Sequence, residues 1–348
     1  MIEDKRVKKL LNEMQEDCIK DVGLRYPDNQ GNGKLFSYAV EVYNDIIKGT
    51  FPAISSERVF KTLQDWYLDN SYYQLLKENN TSMAIEYFTR SSAYGYLALF
   101  VGEVNFFCPS TPGQSSYLMD TATAHMSQTL LCGWESEYSQ IGDWFIDSIA
   151  FGKQKKEGDS HYSYHAIISG ESYALAGWFL VDLYCMVYGK QYDESKAIRP
   201  DDLLFYKDVL KNWDTNNIQE VQRLVSIMSE YHMDQTQEEK GDDDYYSFSS
   251  VNYWLFPYEI LTWLKLRELK GLKNPKTFTH PLMNTPIAKM FLNIKEPLPY
   301  PKELPYAKEL LEKLQEQCPD VEIPEWLEGV SGSVNKRDNT IGDDLFIK

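Results

Sequence analysis

Apolar residues return at three- and four-residue steps along most of this chain, and that spacing restricts it to helices before anything else is considered. Val59, Phe60, Leu63, Trp66 and Tyr67 form one apolar stripe of a helix, with Ser55 and Ser56 just before it as N-cap candidates. Ile218, Val221, Val225 and Met228 repeat in the same way, as do Leu304, Ala307, Leu311 and Leu314. Thr285-Pro286 has the form of an N-cap followed by proline at the first helical position. Residues 82–107, 116–131 and 160–188 make segments too long for strands, and convincing alternating runs flanked by hairpin turns are missing from the sequence. The expected class is therefore all-α, a multi-helix layered bundle with two helical subdomains.

A chain of 348 residues has room for two domains. Loop signals rich in Pro, Gly and Asn occur at 26–33 and at 108–113, and residues 189–200 separate an aromatic-rich first half from a second helical set. The expected organisation is an N-terminal helical domain over 1–190, a C-terminal helical domain over 200–328 and a flexible tail over 329–348, where the apolar pattern fades.

Charge narrows the function. Lys and Arg number 35 against 52 Asp and Glu, a formal net charge of -17. Nucleic-acid binding requires neutralised phosphates, and anionic membranes repel such a chain, so neither is an expected partner. A basic protein would be drawn in instead. The first six residues do not have the form of a signal peptide. The most apolar stretch, 174–188, carries Asp182 and is shorter than the roughly 20 residues a membrane span needs, so it is expected as a buried helix. Cys18, Cys108, Cys132, Cys185 and Cys318 are scattered without a Cys-x-x-Cys pair, as in reduced thiols of a cytoplasmic protein.

Three strings raise catalytic chemistry, and each lacks a necessary part. Gly170-Glu171-Ser172-Tyr173-Ala174 resembles the nucleophile elbow of serine hydrolases, with Ala in place of the last Gly. Residues 166–168 could form the preceding strand, and Asp201, Asp202 or the Asp242 group with His280 could complete a Ser–acid–His order. The several parallel strands of that fold are not legible, and a helical Ser172 sharing a face with Ile168, Leu175 and Phe179 is the preferred expectation. His161 and His165 stand four apart, the helical spacing of two metal ligands, but without the Glu that follows the first His in zinc hydrolases. His125, His232 and His280 are isolated in sequence. Asp242-Asp243-Asp244 lacks the later carboxylate of the magnesium motif in helical isoprenoid enzymes, and no phosphate-binding glycine loop occurs. The expectation is a non-enzyme with no metal and no cofactor.

The acidic run has more to offer as a surface. Asp234, Glu238, Glu239, Asp242, Asp243 and Asp244 surround a single Lys240, and Tyr245, Tyr246 and Phe248 follow at once. Burying such a run is prohibitively costly, so it faces water or a cationic partner. Carboxylates beside aromatics suit an interface in which charge steers and rings supply contact area.

Tyr253-Trp254-Leu255-Phe256-Pro257-Tyr258-Glu259-Ile260-Leu261 introduces a helix, and residues 246–272 are similar to the C-terminal domain of PoNi-type immunity proteins. In that family a Tyr-Trp pair precedes an acidic residue leading an apolar helix, matched in kind here by Tyr253, Trp254 and Glu259. Pro257 and the later position of Glu259 depart from the pattern. The resemblance covers under a third of the chain. It implies a helical, cytoplasmic protein that binds and neutralises a polymorphic nuclease toxin, including those delivered by type VI secretion. The alternative is a helical adaptor or scaffold of other purpose.

Overall fold

The computed structural model describes residues 4–25, 34–107, 117–151, 153–155, 162–164, 168–169, 174–197, 199–236, 246–327 and 330. Among them are twelve α-helices: α1 (Lys5–Arg25), α2 (Lys34–Ile47), α3 (Ser56–Leu76), α4 (Thr81–Phe107), α5 (Met119–Leu131), α6 (Glu135–Phe151), α7 (Leu175–Tyr188), α8 (Tyr206–Lys211), α9 (Ile218–Asp234), α10 (Tyr258–Leu269), α11 (Pro286–Leu292) and α12 (Ala307–Gln317). Strand content is slight. β1 (Tyr117–Leu118) pairs in parallel with β4 (Ile168–Ser169), and β2 (Lys153–Lys155) pairs antiparallel with β3 (Tyr162–Tyr164) in the register Lys153 to Tyr164. The all-α layered architecture holds. The long helix expected over 160–188 does not: β3 and β4 fall in its first part, and among its described residues only those of α7 are helical.

The chain divides into two units, one of Met1–Met14 and Gln114–Leu298, the other of Gln15–Gly113 and Pro299–Lys348. The boundary expected between 190 and 200 falls inside the first unit. The tail expected over 329–348 lies, apart from Val330, outside the described residues.

In the second unit α3 and α4 form a long antiparallel pair. Asn79 turns the chain between them with a φ of 53°, a conformation Asn tolerates better than most residues. Tyr67 stacks on Tyr94 across the interface with 5.4 Å between ring centroids, and Phe60 meets Tyr94 at a tilt with 6.1 Å between centroids. Tyr94 donates its hydroxyl to the Pro305 carbonyl at 2.6 Å. Ala39, Val42 and Ile46 give α2 one buried face. Ser55 occupies the N-cap position of α3, but no serine side chain caps it, because a 3-10 turn over Ala53–Ser55 runs directly into the helix. Cys318 is disulfide-bonded, contrary to the reduced state expected of all five cysteines, so cysteine usage no longer argues for a reducing compartment.

The first unit is built around α5, which is buried along almost its whole length and packs against α6, α7 and α10. Ala174 has no side chain able to cap α7, so the Asp120 carboxylate of α5 does it, accepting the Gly177 N–H at 3.1 Å. Gly177 is required for that approach, since a Cβ there would stand 2.5 Å from Met119 Cγ. Helix α7 is the expected buried helix. Its Asp182 is balanced by Arg199 at 2.7 Å and by the Tyr192 hydroxyl at 2.6 Å. No helix among the described residues is long and apolar enough to cross a membrane.

Candidate functional site

The acidic segment begins where α9 ends. Asn217 opens α9 by accepting the N–H groups of Gln219 and Glu220. Val221, Leu224, Val225 and Met228 bury one face, and that face carries His232 inward in the last turn. Asp234 remains exposed and pairs with Arg6 at 2.9 Å, while Arg6 also donates to the Met233 carbonyl. The near end of the segment is thereby tied to α1.

The far end is tied more firmly. Phe248 is fully buried and stacks on the His232 ring with 3.9 Å between centroids. It meets Tyr258 edge-on at 5.7 Å. Phe248 is thus an anchor in the core rather than the exposed contact residue expected from sequence. Tyr246 is half-buried. Glu238, Glu239, Asp242, Asp243, Asp244 and Tyr245 lie outside the described residues, so the structure locates the two ends of the candidate interface and not its middle.

Under Phe248 lies a buried polar clasp. His232 Nδ1 faces Glu259 Oε1 at 2.9 Å, and Nε2 faces the carbonyls of Tyr253 at 3.0 Å and Trp254 at 3.2 Å. Both His232 and Glu259 side chains are wholly buried. A carbonyl can only accept, so Nε2 carries a hydrogen and donates it. Nδ1 and Glu259 Oε1 make the second hydrogen bond of the ring. Glu259 stands in the first turn of α10 and His232 in the last turn of α9. The backbone carbonyls of Tyr253 and Trp254 and the Glu259 carboxyl therefore meet at one histidine.

Two tyrosines border the clasp. Burial drives Tyr206 well above the ordinary phenol range, with Glu259, Tyr231 and Asp120 adding to it. Burial likewise pushes Tyr231 up to about 12. Both stay neutral at physiological pH, and the site has the character of a structural latch rather than an acid–base pair open to substrate.

The other strings divide as follows. Ser172, His161 and His165 lie outside the described residues. Ile168 is in β4 and Leu175 opens α7, so the expected shared helical face with Ile168 does not form. Among the described residues that strand has one parallel neighbour, β1. His280 caps a 3-10 turn by accepting the Leu282 N–H on Nδ1 at 3.2 Å, and its Nε2 faces Glu230 at 3.3 Å. His125 is buried in α5. Among the described residues, no group of three or more His, Cys, Asp or Glu could hold a metal ion. The sequence marked His232 as isolated because its partner is 27 positions away; a buried His opposite a buried Glu has no local signature.

No protein-family model, no curated protein and no solved structure matches this chain.

Proposed function

We propose that this chain is an immunity protein that binds a cognate, basic bacterial toxin in the cytoplasm and neutralises it without catalysis. The toxin is a nuclease of the class delivered by type VI secretion. The observation that carries the reading is the seating of the acidic segment. Asp234 is tied to Arg6, and Phe248 is locked over the His232–Glu259 clasp, so the described residues that flank a strongly acidic stretch of the sequence are held on both sides of it. A nuclease site must be basic to hold phosphates, and carboxylates presented there would occupy their places.

Co-expression with the protein encoded immediately upstream tests the proposal: growth is rescued and a complex co-purifies. Replacing Asp242, Asp243 and Asp244 by Lys weakens that complex and slows its formation. Unchanged affinity together with unchanged salt dependence would remove the segment from the interface. β4 (Ile168–Ser169) precedes Ser172 in the chain and α7 (Leu175–Tyr188) follows it, an order that favours one second reading, a serine hydrolase. A hydrolytic activity lost in Ser172→Ala would establish it in place of the first.

A further inference from the structure

The acidity of this chain has a local exception. Between Lys265 and Lys295 stand six lysines and one arginine against a single acid, Glu268, in a protein whose net charge is -17. The fold bends this stretch around a cleft of about 850 Å³ between the end of α10, the loop that follows it, and α11. Lys273, Lys276, Lys289 and Lys295 line it. Glu268 is the only carboxylate in the lining, and it is held by Lys295 at 3.0 Å. Lys273, Lys276 and Lys289 are exposed and have no carboxylate within ion-pair distance among the described residues.

The lysine loop is held from below. Arg267 is fully buried and donates to the carbonyls of Trp213, Thr215 and Lys273 and to Asn274 Oδ1, at 2.6 to 3.0 Å. Asn274 in turn donates to the Leu264 carbonyl at 2.8 Å. Like charges held together without counter-charges cost electrostatic energy, which an anionic occupant relieves. A pocket of this volume is also within the usual range of ligand sites.

We propose that this cleft binds an acidic peptide segment of a protein partner, with carboxylates on the lysine rim and apolar side chains on the floor. Leu272, Pro275 and Phe278 supply that floor. Nucleic acid fits less well for three reasons. The one arginine of the stretch is engaged inside, so no guanidinium fork is available to a phosphate. The Asn274 and Asn284 amide groups are already bonded to the protein's own backbone and cannot read base edges. The remaining surface repels a long polyanion. This surface is opposite in sign to the segment at 234–246, and the inference stands independently of the toxin proposal.

The test is fluorescence anisotropy of a labelled peptide of alternating Glu and Leu, titrated with the full chain at low and at physiological salt. A single-stranded oligonucleotide of equal charge serves as the second probe. The peptide binds saturably and more tightly than the oligonucleotide. Exposed ion pairs contribute a few-fold each, so the combined Lys273→Glu, Lys276→Glu and Lys289→Glu variant weakens it about tenfold or more. A variant with the same charge change elsewhere, Lys48→Glu, Lys77→Glu and Lys308→Glu, stays within about threefold of the original, the span of a long-range charge effect alone. Equal loss in both variants, an unchanged affinity in the first, or tighter binding of the oligonucleotide would each overturn the assignment. Circular dichroism of both variants guards against unfolding as the cause.

Discussion

Glu259→Ala is the substitution that most directly probes the clasp beneath the acidic segment. Glu259 Oε1 is the partner of His232 Nδ1 at 2.9 Å, and both side chains are excluded from water. Truncation leaves a ring nitrogen facing a cavity, and a buried pair broken on one side costs about 3–5 kcal/mol. Whole domains are stable by only about 5–15 kcal/mol, so the loss is a large fraction of the total. For a unit of this size each kcal/mol lowers Tm by about 2–4 °C, giving a fall of roughly 6–20 °C. Urea unfolding followed by tryptophan fluorescence reads the change, because Trp254 and Trp263 belong to the same unit. Glu259 Oε2 has no hydrogen-bond partner, so the pair itself is not an ideal use of buried space. Replacing both residues by Leu should therefore be milder than the sum of the single changes, by about 0.5–3 kcal/mol of coupling. A cost below about 1 kcal/mol for Glu259→Ala, or strict additivity in the double variant, would refute the reasoning.

Three further outcomes are expected. Gly142→Ala should destabilise the first unit by about 1–3 kcal/mol in the same assay. Its Cβ would lie 2.4 Å from the Tyr184 ring, which cannot swing away because its hydroxyl is bonded to the Ser139 carbonyl and Asp143, both at 2.9 Å. Arg6→Ala should change stability by no more than about 1 kcal/mol, since both members of the Arg6–Asp234 pair are substantially exposed; faster hydrogen exchange at the end of α9 is the sensitive readout. Burial holds His280 below its ordinary value of 6.5, outweighing the opposing pull of Glu230 and Asp4, with His232 adding to the depression. The unfolded chain then binds more protons in the window below 6.5, so stability is full above that pH and falls as pH drops toward the folded value. His280→Asn keeps a capping acceptor without the titration, and its urea midpoint should vary less than the original's between neutral pH and about pH 5.

The oppositely charged regions explain how one acidic chain can be more than a uniform repulsive surface. The acidic run stands out in the sequence and the lysines of 265–295 do not, because only the bend at Lys273 and Asn274, set by Arg267, gathers four of them around a cleft. Phe248 shows the reverse case. Beside five carboxylates in sequence it reads as a contact residue, yet it is packed against His232 because α9 and α10 leave an apolar slot above their polar clasp.

Local patterns determined what is local here. The stripes at 59–67 and 218–228, the Thr285-Pro286 start, the buried helix at 174–188 and the all-α class follow from side-chain spacing along a single helix, which needs no knowledge of neighbours. The clasp of His232 with Glu259, the capping of α7 by Asp120, the strand before Ser172 and the division into Met1–Met14 with Gln114–Leu298 and Gln15–Gly113 with Pro299–Lys348 were decided only in three dimensions. Each depends on partners tens or hundreds of positions apart. Buried polar groups take whichever partner the packing of helices brings within reach, and no spacing rule encodes that choice.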